Sequence, residues 1–154
     1  MVSFSVHRLL KYWLPALLWM IFIFIGSTDL MSAEHTSRFL VPFLRWLAPD
    51  ISTATVATIQ LFFRKCAHLT EYAILATLFY RALSQGRNNF WRAAIFTFVV
   101  AAIYASLDEF HQSFVPSRTG AVWDVMIDTC GAVVGLAICV AFRRKKRRTL
   151  TSGL

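Results

Sequence analysis

Two strongly apolar runs, residues 93–107 and 125–142, enclose a stretch that holds four of the chain's eight acidic residues: Asp108, Glu109, Asp124 and Asp128. The same stretch carries His111, Gln112 and Arg118. Polar density of this kind beside membrane-like sequence is costly. A charged group near hydrocarbon survives by pairing, by facing water or by doing chemistry. Any fold of this chain must therefore supply partners or solvent here while the flanks stay in an apolar medium.

Composition sets the class. Of 154 residues, 57% are hydrophobic and 16% charged, whereas a soluble domain carries about a quarter charged residues. Mean hydropathy is +0.56. A membrane protein is favoured before any local reading. The net charge is +8, but six of the sixteen basic residues fall in residues 143–148. The high pI is thus a tail and topology signal and does not point to a nucleic-acid partner. Cys66, Cys130 and Cys139 all fall inside apolar runs and read as buried small hydrophobes. No CxxC pair suggests a thiolate metal site or a disulfide framework.

The apolar pattern predicts an all-α chain of four spans. Residues 9–26 form the first, long enough for a bilayer core, with His7, Arg8 and Lys11 around its start. A signal peptide has a similar outline, but no good small-x-small cleavage site follows, which favours an uncleaved helix. Pro15 sits in its first turns, where a missing N–H is tolerated. Residues 27–50 are mixed. Phe39, Leu40, Phe43, Leu44, Trp46 and Leu47 recur at helical spacing, interrupted by Pro42. A short interfacial helix and a packed loop both fit this segment. Residues 51–80 read as one long helix, capped by Asp50 or Ser52. Residues 90–107 and 121–142 are the third and fourth spans. The turn between them is signalled by Pro116 and Gly120.

Lysine and arginine placement gives the orientation. The N-terminus, residues 81–92 and the C-terminal tail are basic, and positive segments stay cytoplasmic. The expected layout is a cytoplasmic N-terminus (1–8), a four-span domain (9–142) and a basic cytoplasmic tail (143–154). The polar halves of spans two, three and four then share the outer side of the membrane.

On span two, Arg64, Lys65, His68, Glu71 and Tyr72 fall on overlapping helix faces. On span four, Asp124, Asp128, Gly131 and Gly135 form a narrow stripe at about 100° per residue. The glycines make a small-xxx-small face for close helix approach, so the two acids point into the bundle. With Asp108, Glu109, His111, Gln112 and Arg118, these residues are expected to meet in one polar pocket. Mutual pairing lowers the desolvation cost, so a structural network locking three helices is one reading. A binding site for a polar or anionic group is the other, with Arg64, Lys65 and Arg118 as the grip. His68-x-x-Glu71 and Asp108-Glu-x-His111 are similar to carboxylate–histidine ligand sets, but the spacing is weakly specific, and no metal or cofactor is assigned. With His68, His111 or a carboxylate as acid or base, the same pocket would serve a headgroup hydrolase or transferase. The sequence has no Ser-x-Gly elbow and no phosphate-cradling glycine loop.

Ser27 after the first span, Arg64-Lys65-x-x-His68-x-x-Glu71-Tyr72, Asp108-Glu109-x-His111-Gln112-x-Phe114-x-Pro116-x-Arg118 and Asp124-x3-Asp128-x2-Gly131-x3-Gly135 resemble the VanZ-like family. The likeness runs in order from Ser27 to about Gly135. At position 128 the family pattern more often shows Asn. The resemblance implies a small bacterial integral membrane protein with a role in the cell envelope. The family's name-giving member is associated with teicoplanin resistance. The expectation is a multi-pass protein of the bacterial cytoplasmic membrane. Its partners are membrane lipids or a lipid-linked envelope precursor, and not nucleic acid.

Overall fold

The computed structural model describes residues 6–28, 33–85, 90–116 and 120–151, with side chains described outside residues 33–36 and 146–151. Every regular element among the described residues is helical: α1 (Val6–Tyr12), α2 (Leu14–Gly26), α3 (Ala33–Leu47), α4 (Thr53–Ser84), α5 (Phe90–Gln112) and α6 (Val122–Thr151). The expectation of an all-α chain holds.

The first apolar run is bent instead of straight. It breaks between α1 and α2 with a 40° change of direction. Pro15 sits in the first turn of α2 and Trp13 is its N-cap. Proline lacks the N–H that a continuous helix would need there, and its ring crowds the preceding turn. Residues 33–47 form a helix that keeps Pro42 inside it. Of the two readings open for this segment, the structure takes the helix. Its Phe39, Phe43, Trp46 and Leu47 are exposed. Ser52 caps α4 by accepting from the Thr55 N–H.

α4 and α6 make the most extensive helix pairing, with α5 packed on both and α2 on α4. One cluster joins Ile23, Tyr72, Leu75, Phe79 and Ala105, ringed by Trp13, Trp19, Met20 and Tyr104. A second, of small residues, joins Ala76, Ala101 and Ala132. Alanines at these three positions let α4, α5 and α6 draw close.

Gly131 and Gly135 explain the tight α4–α6 seam. A Cβ at Gly131 would run into the Leu69 carbonyl, and one at Gly135 into the Ala73 carbonyl. Only a hydrogen fits where these two backbones meet.

Large apolar side chains cover the outside, among them Leu17, Phe22, Phe62, Ile95, Phe96, Val133 and Phe142. Two helices, Phe90–Gln112 and Val122–Lys145, are long and apolar enough to cross a membrane, and α1 with α2 makes a third if the bent pair is one span. α4 has the length, but Arg64, Lys65 and Glu71 interrupt its apolar run. The cysteine expectation is corrected. Cys66 and Cys130 are exposed and Cys139 half-buried. Cys66 and Cys130 share the outer surface with exposed apolar side chains such as Leu61, Phe62, Phe63 and Val133.

Chain direction places like with like at the two ends. At one end Arg81 donates to the Lys11 carbonyl and stacks over Tyr12, while Arg143 stacks over Phe90. At the other, the C-terminal ends of α2 and α5 meet the first half of α4 and the start of α6.

Candidate functional site

The polar members of that second end are drawn from four helices, α2, α4, α5 and α6, so the site forms only when the helices pack. Ser27 is the C-cap of α2. Arg64, Lys65, His68 and Tyr72 lie on one side of α4, as their spacing dictates. Asp108, Glu109 and Gln112 end α5, and Asp124 and Asp128 begin α6.

The contacts divide into an outer and an inner layer. In the outer layer Asp124 is buried and takes both cations: Lys65 Nζ on Oδ1, and Arg64 across 3.8 Å on Oδ2. Arg64 and Lys65 side chains stay 23% and 31% exposed. Arg64 also donates to Gln112 Oε1 at 3.3 Å. In the inner layer His68, Asp108, Glu109, Gln112 and Asp128 are all buried. His68 Nδ1 and Asp128 Oδ1 stand 3.1 Å apart. Gln112 donates to Asp108 Oδ2 at 3.2 Å and to Ser27 Oγ at 3.3 Å. The Ala121 N–H donates to Glu109 Oε2 at 2.9 Å, which ties the entry of α6 to the end of α5. Gly120 serves this tie: a Cβ there would lie 2.6 Å from the Glu109 carbonyl oxygen.

Not every residue singled out in the sequence joins the cluster. His111 turns its ring onto Phe24, with centroids 4.8 Å apart. It is half-buried on the α2 side and donates no hydrogen bond to the described inner acids. Glu71 lies beside Gly26 at the end of α2. Tyr72 is fully buried and packs on Tyr104. Arg118 lies outside the described residues.

Two ties went unforeseen. Trp19 Nε1 donates to the Glu71 carbonyl at 2.9 Å and Tyr104 Oη to the Met20 carbonyl at 2.6 Å. Both fasten α2 to the bundle. A buried Trp N–H or Tyr O–H needs an acceptor, so an aromatic with a polar tip inside an apolar run is the signal for such ties.

Chemically, the inner layer has three buried carboxyls and one buried imidazole. The imidazole is oriented by a carboxylate, which suits proton transfer or metal ligation. The outer layer offers guanidinium and ammonium donors at the surface, which suits an anion.

No curated protein and no solved structure is significantly similar to the chain. The VanZ/LLP1 family matches residues 12–143, a range that takes in Ser27, both layers of the site and both packing glycines. On that match the chain belongs to the VanZ/LLP1 family.

Proposed function

We propose that this protein is a four-span bacterial cytoplasmic-membrane protein with a polar site at its outer end that binds an anionic envelope ligand. The ligand class is a phospholipid headgroup or a lipid-linked glycan phosphate. α4 is the second span in chain order, its charges tolerated because they turn into the bundle and pair there. The basic end, with Lys11, Arg81 and Arg143, is the cytoplasmic one.

One observation supports the ligand reading above the others. Arg64 and Lys65 are the partly exposed members of an otherwise buried network. A phosphate arriving from the lipid side meets their donors first, and can share them with Asp124. Arg64 reaches Gln112 and Asp124 through Nη2, and its Nε is buried with no partner among the described residues.

A second reading draws on the His68–Asp128 pair. An imidazole held by a carboxylate is the arrangement a general base needs, so the same site would serve a hydrolase or transferase acting on headgroups. Under this reading His68→Gln abolishes turnover and leaves lipid binding intact.

The test is native mass spectrometry of the detergent-purified protein, with envelope sensitivity to teicoplanin scored for the same variants. The expected result is a retained anionic lipid that is lost from Arg64→Gln and Lys65→Gln while the melting temperature holds. A wild-type chain that carries no lipid, or variants that retain it unchanged, would refute the reading.

A further inference from the structure

We infer that His68, Asp108, Glu109 and Asp128 form a binding site for one divalent transition-metal ion, of the Zn²⁺ or Mn²⁺ type. The four residues come from three helices, each is buried, and one ligand atom from each lies within 4.8 Å of all the others. This set differs from both local pairs visible in the sequence. It joins His68 to Asp128 across the α4–α6 seam and leaves out Glu71 and His111.

Clustered acids alone do not make a site. The hydrogen-bond pattern of these three does more. In each carboxyl one oxygen is held by the protein and the other is not. Asp108 Oδ2 accepts from Gln112, Glu109 Oε2 from the Ala121 N–H, and Asp128 Oδ1 faces His68 Nδ1. Asp108 Oδ1, Glu109 Oε1 and Asp128 Oδ2 are buried with no hydrogen-bond partner. The Ser27 hydroxyl has the Ile23 carbonyl and the Asp108 carboxyl both within reach, and its one proton serves one of them at a time. Buried acceptors without partners are rare and costly. Three of them in one cluster ask for a shared electrophile.

The arrangement is the one metal sites use. Ligating carboxylates are oriented through their second oxygen, and a ligating histidine gives its other ring N–H to an acceptor. With the Nδ1 proton given to Asp128, the His68 lone pair sits on Nε2. Metal–ligand bonds of about 2.0–2.2 Å put neighbouring ligands roughly 3 Å apart. Binding an ion would draw the four groups in from the 4.8 Å within which they now stand. One imidazole with three carboxylates favours Zn²⁺, Mn²⁺ or Fe²⁺ over Ca²⁺, which prefers an all-oxygen shell.

Charge argues the same way. Among the described residues, Arg64 and Lys65 are the cations of the two layers, and both are engaged by Asp124. Apart from His68, which is a cation only when protonated, the inner acids have no such partner among the described residues. The alternative is that protons neutralise them, and the experiment separates the two cases.

This inference deepens the reading of the same site and rests on it only for where ligand arrives. It is tested on lipid-stripped, tag-free protein, so its failure is distinguishable from a failure to retain lipid. Ion content is read by elemental mass spectrometry, and melting temperature with Zn²⁺ or Mn²⁺ added and then chelated. Expected is about one ion per chain at saturation, with a melting temperature that falls on chelation and recovers on re-addition. The Asp108→Asn/Glu109→Gln double variant should lose the ion and its thermal response, since neutral amides stand in for protonated acids without ligating well. Gln112→Leu, which removes the orienting bond to Asp108, should weaken ion affinity roughly 10–100-fold. Wild-type protein with no bound ion and no thermal response to either metal overturns the proposal. So does a double variant that still binds the ion. If a variant fails to fold, the wild-type measurement decides alone.

Discussion

His68 of α4 and Asp128 of α6 stand 3.1 Å apart, Nδ1 to Oδ1, both buried in the seam where the two helices run closest. One turn further along that seam the helices touch through Gly131 and Leu69. The polar pair and the glycine contact are thus parts of one interface. The glycines bring the backbones together, and closeness lets an imidazole on one helix reach a carboxylate on the next.

The first prediction concerns this pair. His68→Leu or Asp128→Leu alone strands a buried polar group, which costs about 3–5 kcal/mol. The double His68→Leu/Asp128→Leu should cost clearly less than the two singles together, because neither group is left alone. Denaturation in detergent measures it. Strict additivity would mean the two side chains do not interact.

The glycines give the second. Gly131→Ala and Gly135→Ala each place a methyl against a backbone carbonyl, which cannot move aside as a side chain would. Overpacking of this kind costs about 1–3 kcal/mol. Both variants should melt well below wild type. Val133→Leu, on the exposed face of the same helix, should melt normally. Equal melting temperatures for all three would contradict the seam.

Much of this architecture was legible in the sequence. The apolar helices α5 and α6 follow from their long hydrophobic runs, and α4 from helical spacing and its Ser52 cap, although Arg64, Lys65 and Glu71 interrupt it. The Asp124–Asp128–Gly131–Gly135 stripe follows from helical spacing alone. What periodicity cannot supply is the partner across the gap. A stripe shows which way Asp124 faces, but not that Lys65 and Arg64 reach it. His111 shares the spacing of the site residues, yet aromatic contact with Phe24 draws it to the α2 side. The bend at Trp13 was missed because the apolar run is unbroken there and Pro15 fits either a straight start or a break. The cysteines illustrate the same limit: an apolar run marks a core in water but an outer face in a membrane protein, and Cys66 and Cys130 are exposed.

Arg118 supplies the third prediction. Asp124 already holds two cations, so Arg118 is not needed to neutralise it. Arg118→Lys should melt like wild type and lose retained anionic lipid, because the bidentate fork is gone. Rescue of lipid retention by a charge-neutral double with Asp108, Glu109 or Asp124 would instead make Arg118 a salt-bridge partner.

Sidedness underlies everything proposed for the site, and impermeant thiol labelling in intact cells tests it most directly. The native cysteines are first replaced by alanine, since Cys66 and Cys130 are exposed. Single cysteines are then placed at Ser117, beside the polar end in sequence, and at Asn88 and Thr149, in the basic segments. The expected result is labelling at Ser117 in whole cells and protection at Asn88 and Thr149 until the cells are opened. Labelling of Asn88 in intact cells would contradict the four-span arrangement with an outward-facing site.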